Sequence, residues 1–112
     1  MEVRPRTIYH YTTQEGRDLF QEWYSRLKDL EVRVAIQARL ARVRQGLFGD
    51  WKPVGDGVYE LRIFIGPGYR IYIGFFERSA VLLLCGGDKG RQSHDIRMAQ
   101  RNWNDFLTRR KQ

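Results

Sequence analysis

The tripeptide Gly66-Pro67-Gly68 separates two runs of alternating apolar and polar residues, and no other feature restricts the fold of this chain as tightly. Proline lacks the N–H that a strand interior needs, so the tripeptide reads as a turn. Val58 to Ile65 before it and Tyr69 to Phe76 after it are rich in β-branched and aromatic residues, which predicts a hairpin. Alternation sets Leu61, Ile63 and Ile65 on one face and turns Glu60 and Arg62 to the other. In the second run Tyr69, Ile71 and Ile73 share a face, leaving Arg70 and Tyr72 opposite. A three-residue loop would pair Ile65 with Tyr69, Arg62 with Tyr72 and Arg70 with Phe64. The two arginines would then be diagonal neighbours roughly 7–8 Å apart. Two guanidiniums on one face, with Glu60 beside them, form a candidate anion site.

A third strand follows the turn Glu77-Arg78-Ser79. Val81 to Leu84 are four consecutive large apolar residues, the pattern of a strand covered on both faces. Antiparallel pairing through that turn brings Arg70 level with Gly86. The basic loop Gly86-Gly87-Asp88-Lys89-Gly90-Arg91 then starts beside Arg70, with Lys89 and Arg91 within reach of the same edge. Ser93 is a candidate N-cap for the next helix, whose free N–H groups would add to the positive end of the site.

The remaining elements are helical. Thr7 to Tyr11 is a short candidate strand, and Thr12-Thr13-Gln14-Glu15 has the form of a capping box opening a helix. Leu19, Phe20, Trp23, Tyr24, Leu27 and Leu30 recur at helical spacing. Asp29 is a candidate cap for a second helix carrying Val32, Ile36, Leu40, Val43 and Leu47, with Gly46 and Gly49 at its end. Arg33, Arg39, Arg42 and Arg44 lie on its other faces. Asp50 to Asp56 reads as a loop holding Trp51, Lys52 and Pro53. Ile96, Ala99, Trp103, Phe106 and Leu107 mark a terminal helix. The expected order is β-α-α-β-β-β-α, a single α+β domain over 1–112 with about four antiparallel strands and a helical hairpin packed on them. Trp23 and Trp103 read as core, and His10 as structural.

With 20 Lys and Arg against 13 Asp and Glu, the formal charge is +7 and the pI about 10.0. That balance points to a polyanionic partner, nucleic acid or an acidic protein. Lone Cys85, within the most apolar strand, fits a reducing cytoplasm. No apolar run approaches the roughly 20 residues of a membrane span, and Met1 to Arg6 lacks the apolar region of a signal peptide. Neither a metal-site spacing nor a P-loop is present, and no cofactor is implied.

Glu60-Leu61-Arg62-Ile63, Gly66-Pro67-Gly68-Tyr69-Arg70-Ile71-Tyr72 and Leu83-Leu84-Cys85-Gly86-Gly87-Asp88-Lys89, in this element order, resemble the RelE/ParE toxin superfamily. More narrowly they are similar to its HigB-like, phage-related addiction module killer branch. Gly46-Leu47-Phe48-Gly49-Asp50 and Gln92-Ser93-His94-Asp95-Ile96 extend the resemblance over nearly the whole chain. It implies a cytoplasmic type II toxin, most often an mRNA endoribonuclease acting on the translating ribosome. A co-encoded antitoxin, of helix-turn-helix type, would neutralise it in a hetero-oligomer. Arg70, Arg62 and Lys89 match basic positions of the ribonuclease members. The tyrosine or histidine that several members carry near the chain end has its nearest counterparts at His94, Asp95 and Ile96. ParE-like members poison DNA gyrase instead, and a non-enzymatic basic nucleic-acid-binding module is a third reading.

Metal-free RNA cleavage requires loss of the 2′-hydroxyl proton, stabilisation of charge on the phosphorane and protonation of the leaving 5′-oxygen. Arg70 is the candidate chief transition-state stabiliser and Arg62 a second phosphate ligand, because the guanidinium fork matches phosphate oxygens. Lys89 is a candidate electrostatic stabiliser or acid. Glu60 or His94 is the candidate base, although pairing with Arg62 is the favoured reading for Glu60. Arg91, Lys52, Arg39 and Arg42 are candidate RNA contacts, and Tyr72 a candidate base-stacking residue or ordinary sheet packing. Trp51 reads as packing or as a contact to RNA or antitoxin.

Overall fold

A computed structural model describes residues 2–111; Met1 and Gln112, the ends of the expected 1–112 domain, lie outside the described residues. The chain runs β1 (Thr7–His10), α1 (Leu19–Arg26), α2 (Leu30–Arg44), β2 (Trp51–Gly55), β3 (Val58–Ile63), β4 (Tyr69–Phe76), β5 (Ala80–Asp88), one 3-10 turn (Lys89–Arg91) and α3 (Gln92–Arg110). Strands β2 to β5 form an antiparallel meander. β1 docks parallel on β5, giving an α+β domain with a five-stranded mixed sheet in the order β1-β5-β4-β3-β2.

The expected four-stranded antiparallel sheet is therefore corrected twice. β2 lies within the segment read as a loop. Asp56 and Gly57, at φ 55° and 84°, make the left-handed two-residue turn that joins it to β3. Pro53 is tolerated because β2 is an edge strand. β1 is parallel to β5 because the whole intervening chain serves as the crossover between them.

The start of α1 also differs from expectation. The Thr12–Glu15 segment is a turn, closed by the Gly16 N–H donating to the Thr13 carbonyl at 2.8 Å. α1 instead begins after Asp18, whose carboxylate accepts from the Gln21 N–H at 2.9 Å. Asp29 caps α2, accepting from the Glu31 N–H at 2.9 Å. Gly46 ends that helix in a Schellman arrangement, with its N–H on Val43 O and the Leu47 N–H on Arg42 O.

Helices cover both faces of the sheet. On one, Phe20, Ile36 and Val43 of α1 and α2 pack against Leu61, Ile71 and Leu83. On the other, Ala99 and Trp103 of α3 pack against Val58, Tyr72 and Leu82. Val81 to Leu84 are buried on both sides, as their unbroken apolar run implies. Each such side chain contributes roughly 1.5–3 kcal/mol of burial, which makes β5 the spine of the fold. Trp103 is core as expected, and Trp23 rests on the glycine backbone of β5 at Gly86.

A β-bulge in β5 governs the geometry of the site. Ile73 pairs with Leu83 and Tyr72 with Cys85, so Leu84 is an extra residue. Leu84 and Cys85 both face α3. Beyond them the alternation is reversed: Gly86 meets Trp23 of α1 and Gly87 meets Asp95 of α3. Arg70 is consequently level with Gly87 rather than Gly86. Among the described residues no helix is long and apolar enough to cross a membrane.

Candidate anion-binding cleft

β3 and β4 pair with Arg62 directly opposite Arg70 and Glu60 opposite Tyr72. The connection is five residues, 64–68, rather than three, so the register is displaced by two from the expected one. A displacement of two preserves the pleat, and both arginines remain on the same face as Glu60. Like charges directly opposite one another in a sheet are destabilising unless compensated. Here each is compensated. Arg62 Nη2 donates to Asp50 Oδ1 at 2.9 Å, and Arg70 Nε lies 3.4 Å from Glu60 Oε2. That bond to Asp50 holds the Arg62 pKa above its ordinary value. The expected Glu60–Arg62 pair is thus replaced by two separate pairs.

Glu60 is fully enclosed. Its Oε2 accepts from the Tyr72 hydroxyl at 3.2 Å and from Gln92 Nε2 at 2.9 Å, at the first residue of α3. The contact with Arg70 is an ion pair that is not aligned as a hydrogen bond, since Arg70 Nε has no hydrogen-bond partner. Burial, then the charge of Glu60 and the hydrogen bond to it, push the Tyr72 phenol pKa up, so it persists as a donor. Two expectations change. Glu60 has no access to a substrate and cannot be its base; it anchors Arg70. Tyr72 is also fully buried, so it cannot stack on a nucleobase.

Lys89 joins the arginines from the far end of β5. Its N–H donates to the Gly68 carbonyl at 3.3 Å, tying the 3-10 turn to the hairpin loop. The Asp88 carboxylate accepts from the Gly90 N–H at 3.0 Å, which ties it to the 3-10 turn. Arg62, Arg70 and Lys89 line one cleft of about 310 Å³, together with the hairpin loop from Phe64 to Gly68. No carboxylate or imidazole is in that lining. Phe64, the most exposed large apolar side chain of the described residues at 78%, stands at its mouth. The sequence predicts a strand at Phe64, whereas the structure places it in the loop.

The other candidates lie elsewhere. His94 and Arg91 line a separate cleft of about 410 Å³ between α1 and α3, with Trp23 and Asp95. There Arg91 Nη2 is 3.0 Å from His94 Nδ1, and His94 Nδ1 is 3.3 Å from Asp95 Oδ1. Burial pushes the Asp95 pKa up, an effect opposed by His94 and Arg91. His94 is therefore outside the lining of the arginine cleft, although it lines a further open cleft together with Lys89 and Arg91. α3 starts at Gln92, one residue before the expected cap at Ser93, and has no side-chain cap.

Arg39 is buried and not an RNA contact. Its guanidinium donates to the carbonyls of Phe48 at 2.8 Å, Asp50 at 2.6 Å and Arg62 at 2.6 Å. It thereby fixes from below the backbone that carries the Arg62–Asp50 pair. Arg42 is exposed beside Leu47 and Trp51, away from the cleft. Lys52 is exposed on edge strand β2, level with Glu60. Trp51 packs against Phe48 and Tyr59. No group of three or more His, Cys, Asp or Glu among the described residues could hold a metal ion.

No protein-family model matches the chain. A protein of Haemophilus influenzae described as uncharacterized is 48% identical to it over 81 residues, which is 72% of this chain and 82% of that protein. At that identity and coverage, the chain belongs to the same family as the Haemophilus influenzae protein.

Proposed function

We propose that this protein is a RelE/ParE-like toxin of a type II toxin–antitoxin system and a metal-free mRNA endoribonuclease that inhibits translation in the cytoplasm. The observation that carries this reading is the convergence of Arg62, Arg70 and Lys89 on one cleft without a carboxylate in its lining. Such a cleft suits a phosphodiester, and above all the extra negative charge of its transition state.

In the proposed reaction the ribose 2′-oxygen attacks the adjacent phosphorus while its proton leaves to solvent. Arg70 and Arg62 hold the phosphorane oxygens. The bond from phosphorus to the 5′-oxygen breaks as Lys89 gives that oxygen a proton, which it regains from water. The products are a 2′,3′-cyclic phosphate and a 5′-hydroxyl. Loss of one charged stabiliser of this kind costs ~3–4 kcal/mol, or about 10²–10³ in rate. The +7 charge supports docking on ribosomal RNA and makes binding fall steeply with salt. It also suits an acidic antitoxin segment that covers the cleft.

The test is incubation of the purified protein with RNA, alone and with programmed ribosomes, in the presence of a chelator. The reading requires fragments ending in 2′,3′-cyclic phosphate and 5′-hydroxyl. Intact RNA in every arm, with DNA replication arrested in cells, would replace it with a gyrase poison.

A further inference from the structure

From the hairpin tip we infer that Phe64 is the stacking platform for a nucleobase of single-stranded RNA whose phosphate lies between Arg62 and Arg70; this rests on the ribonuclease reading above. The ring is not exposed by default of a loose loop. Residues on both sides of it are tied down. The Ile65 N–H donates to the Ile63 carbonyl at 3.1 Å, a γ-turn centred on Phe64. The Gly68 N–H returns to the Ile65 carbonyl at 3.0 Å. Ile65 is half-buried and packs against the core that α1 and α2 cover, and Gly68 is held by the Lys89 N–H. Phe64 is the one aromatic side chain of the 64–68 loop, and it is exposed, as are Gly66 and Pro67.

Its surroundings identify the ligand class. The Arg62 guanidinium carbon lies 5.7 Å from the ring centroid, and Arg70 and Lys89 line the same cleft. An apolar anchor for a protein partner needs apolar neighbours. The other large exposed apolar residues, such as Leu30, Val34 and Leu47, lie outside this cleft. Ile65, Pro67 and Tyr69 also line the cleft, but Phe64 is its most exposed ring and stands beside cationic side chains; that combination matches one nucleotide, a flat face for the base and positive charge for its phosphate. The γ-turn directly after β3 sets this spacing, because it holds the Phe64 ring centroid 5.7 Å from the Arg62 guanidinium carbon.

The experiment uses the full chain and a short 2′-O-methyl RNA containing one 2-aminopurine, which cannot be cleaved and loses fluorescence on stacking. Wild type should bind and quench it. Phe64→Leu should bind about ten-fold more weakly, without quenching, and with an unchanged salt slope. Phe64→Trp should restore both signals, and Arg62→Ala should lower the salt slope by about one. If Phe64→Leu binds and quenches like wild type, or loses only the capture of a protein partner, the platform assignment is wrong and the ribonuclease reading stands. If wild type does not bind the RNA at all, both fail.

Discussion

Arg70 is the counter-ion of a carboxylate that never meets solvent: its Nε stands 3.4 Å from Oε2 of Glu60, which is fully buried. The residue proposed to stabilise the phosphorane is therefore also a support of the fold. Removing one partner of a buried pair typically costs about 3–5 kcal/mol, because the other charge is left uncompensated. Arg70→Ala should lose stability of that order in urea denaturation as well as activity. Glu60→Gln combined with Arg70→Ala should recover most of the stability and none of the activity. Full stability in Arg70→Ala alone would contradict the coupling.

Gly87 is level with Arg70 and lies beneath Asp95. A Cβ at position 87 would come within 1.9 Å of Asp95 Oδ2. Gly87→Ala should destabilise by roughly 1–3 kcal/mol through overpacking. Asp95→Ala in the same chain should relieve most of that loss, and a double-mutant cycle measures the coupling. Additive effects would show that α3 does not press on β5 at this point.

Burial, with a contribution from the charge of Asp95, pushes the Cys85 thiol pKa up to about 12. Thiolate is the reactive form. At pH 8 a thiol reagent should label the folded protein only through opening, at a rate that follows stability as urea is added. The sign of the linkage is set by the raised pKa. Cys85 leaves stability intact below the ordinary thiol value and lowers it as pH climbs toward 12, because the unfolded chain ionises first. Rapid labelling of native protein at pH 8 would contradict its enclosure.

Tyr11, the residue after β1, is tied to α3 by donating its hydroxyl to Asp105 Oδ2 at 2.7 Å. Accepting that bond lowers the Asp105 pKa below its ordinary value, with help from Gln14 and Arg109. A depressed carboxylate contributes stability that is present above its unfolded pKa and lost as pH falls through the folded one. Tyr11→Phe should therefore cost about 1–2 kcal/mol near pH 7. The gap to wild type should narrow below about pH 4. A pH-independent difference would assign the loss to packing alone.

The two arginines were legible because side-chain alternation has period two. Even with the loop length misread, Arg62 and Arg70 stayed on one face and Lys89 at the adjoining strand end. The register itself was not legible. Phe64 and Ile65 have strand-like side chains, and nothing local distinguishes a γ-turn from one more strand pair. The bulge at Leu84 was hidden for a related reason, since four consecutive apolar residues look alike with or without an extra one.

Depth was the harder quantity. Glu60 read as a base or a partner of Arg62, and Arg39 as an RNA contact, because charged side chains are usually accessible. Their burial depends on partners distant in the chain. Glu60 is closed over by Gln92, and Arg39 by the carbonyls of Phe48, Asp50 and Arg62. β2 was obscured by Pro53, although Asp56-Gly57 carried a hairpin signal.

The most direct test of the cleft is 5′-end mapping of cellular transcripts after brief induction, comparing wild type with the stability-matched Glu60→Gln, Arg70→Ala double variant. New 5′-hydroxyl ends within coding regions, present for wild type and absent for the variant, are the predicted result. Intact transcripts under wild type, or the same ends produced by both proteins at equal abundance, would contradict a nuclease centred on Arg70.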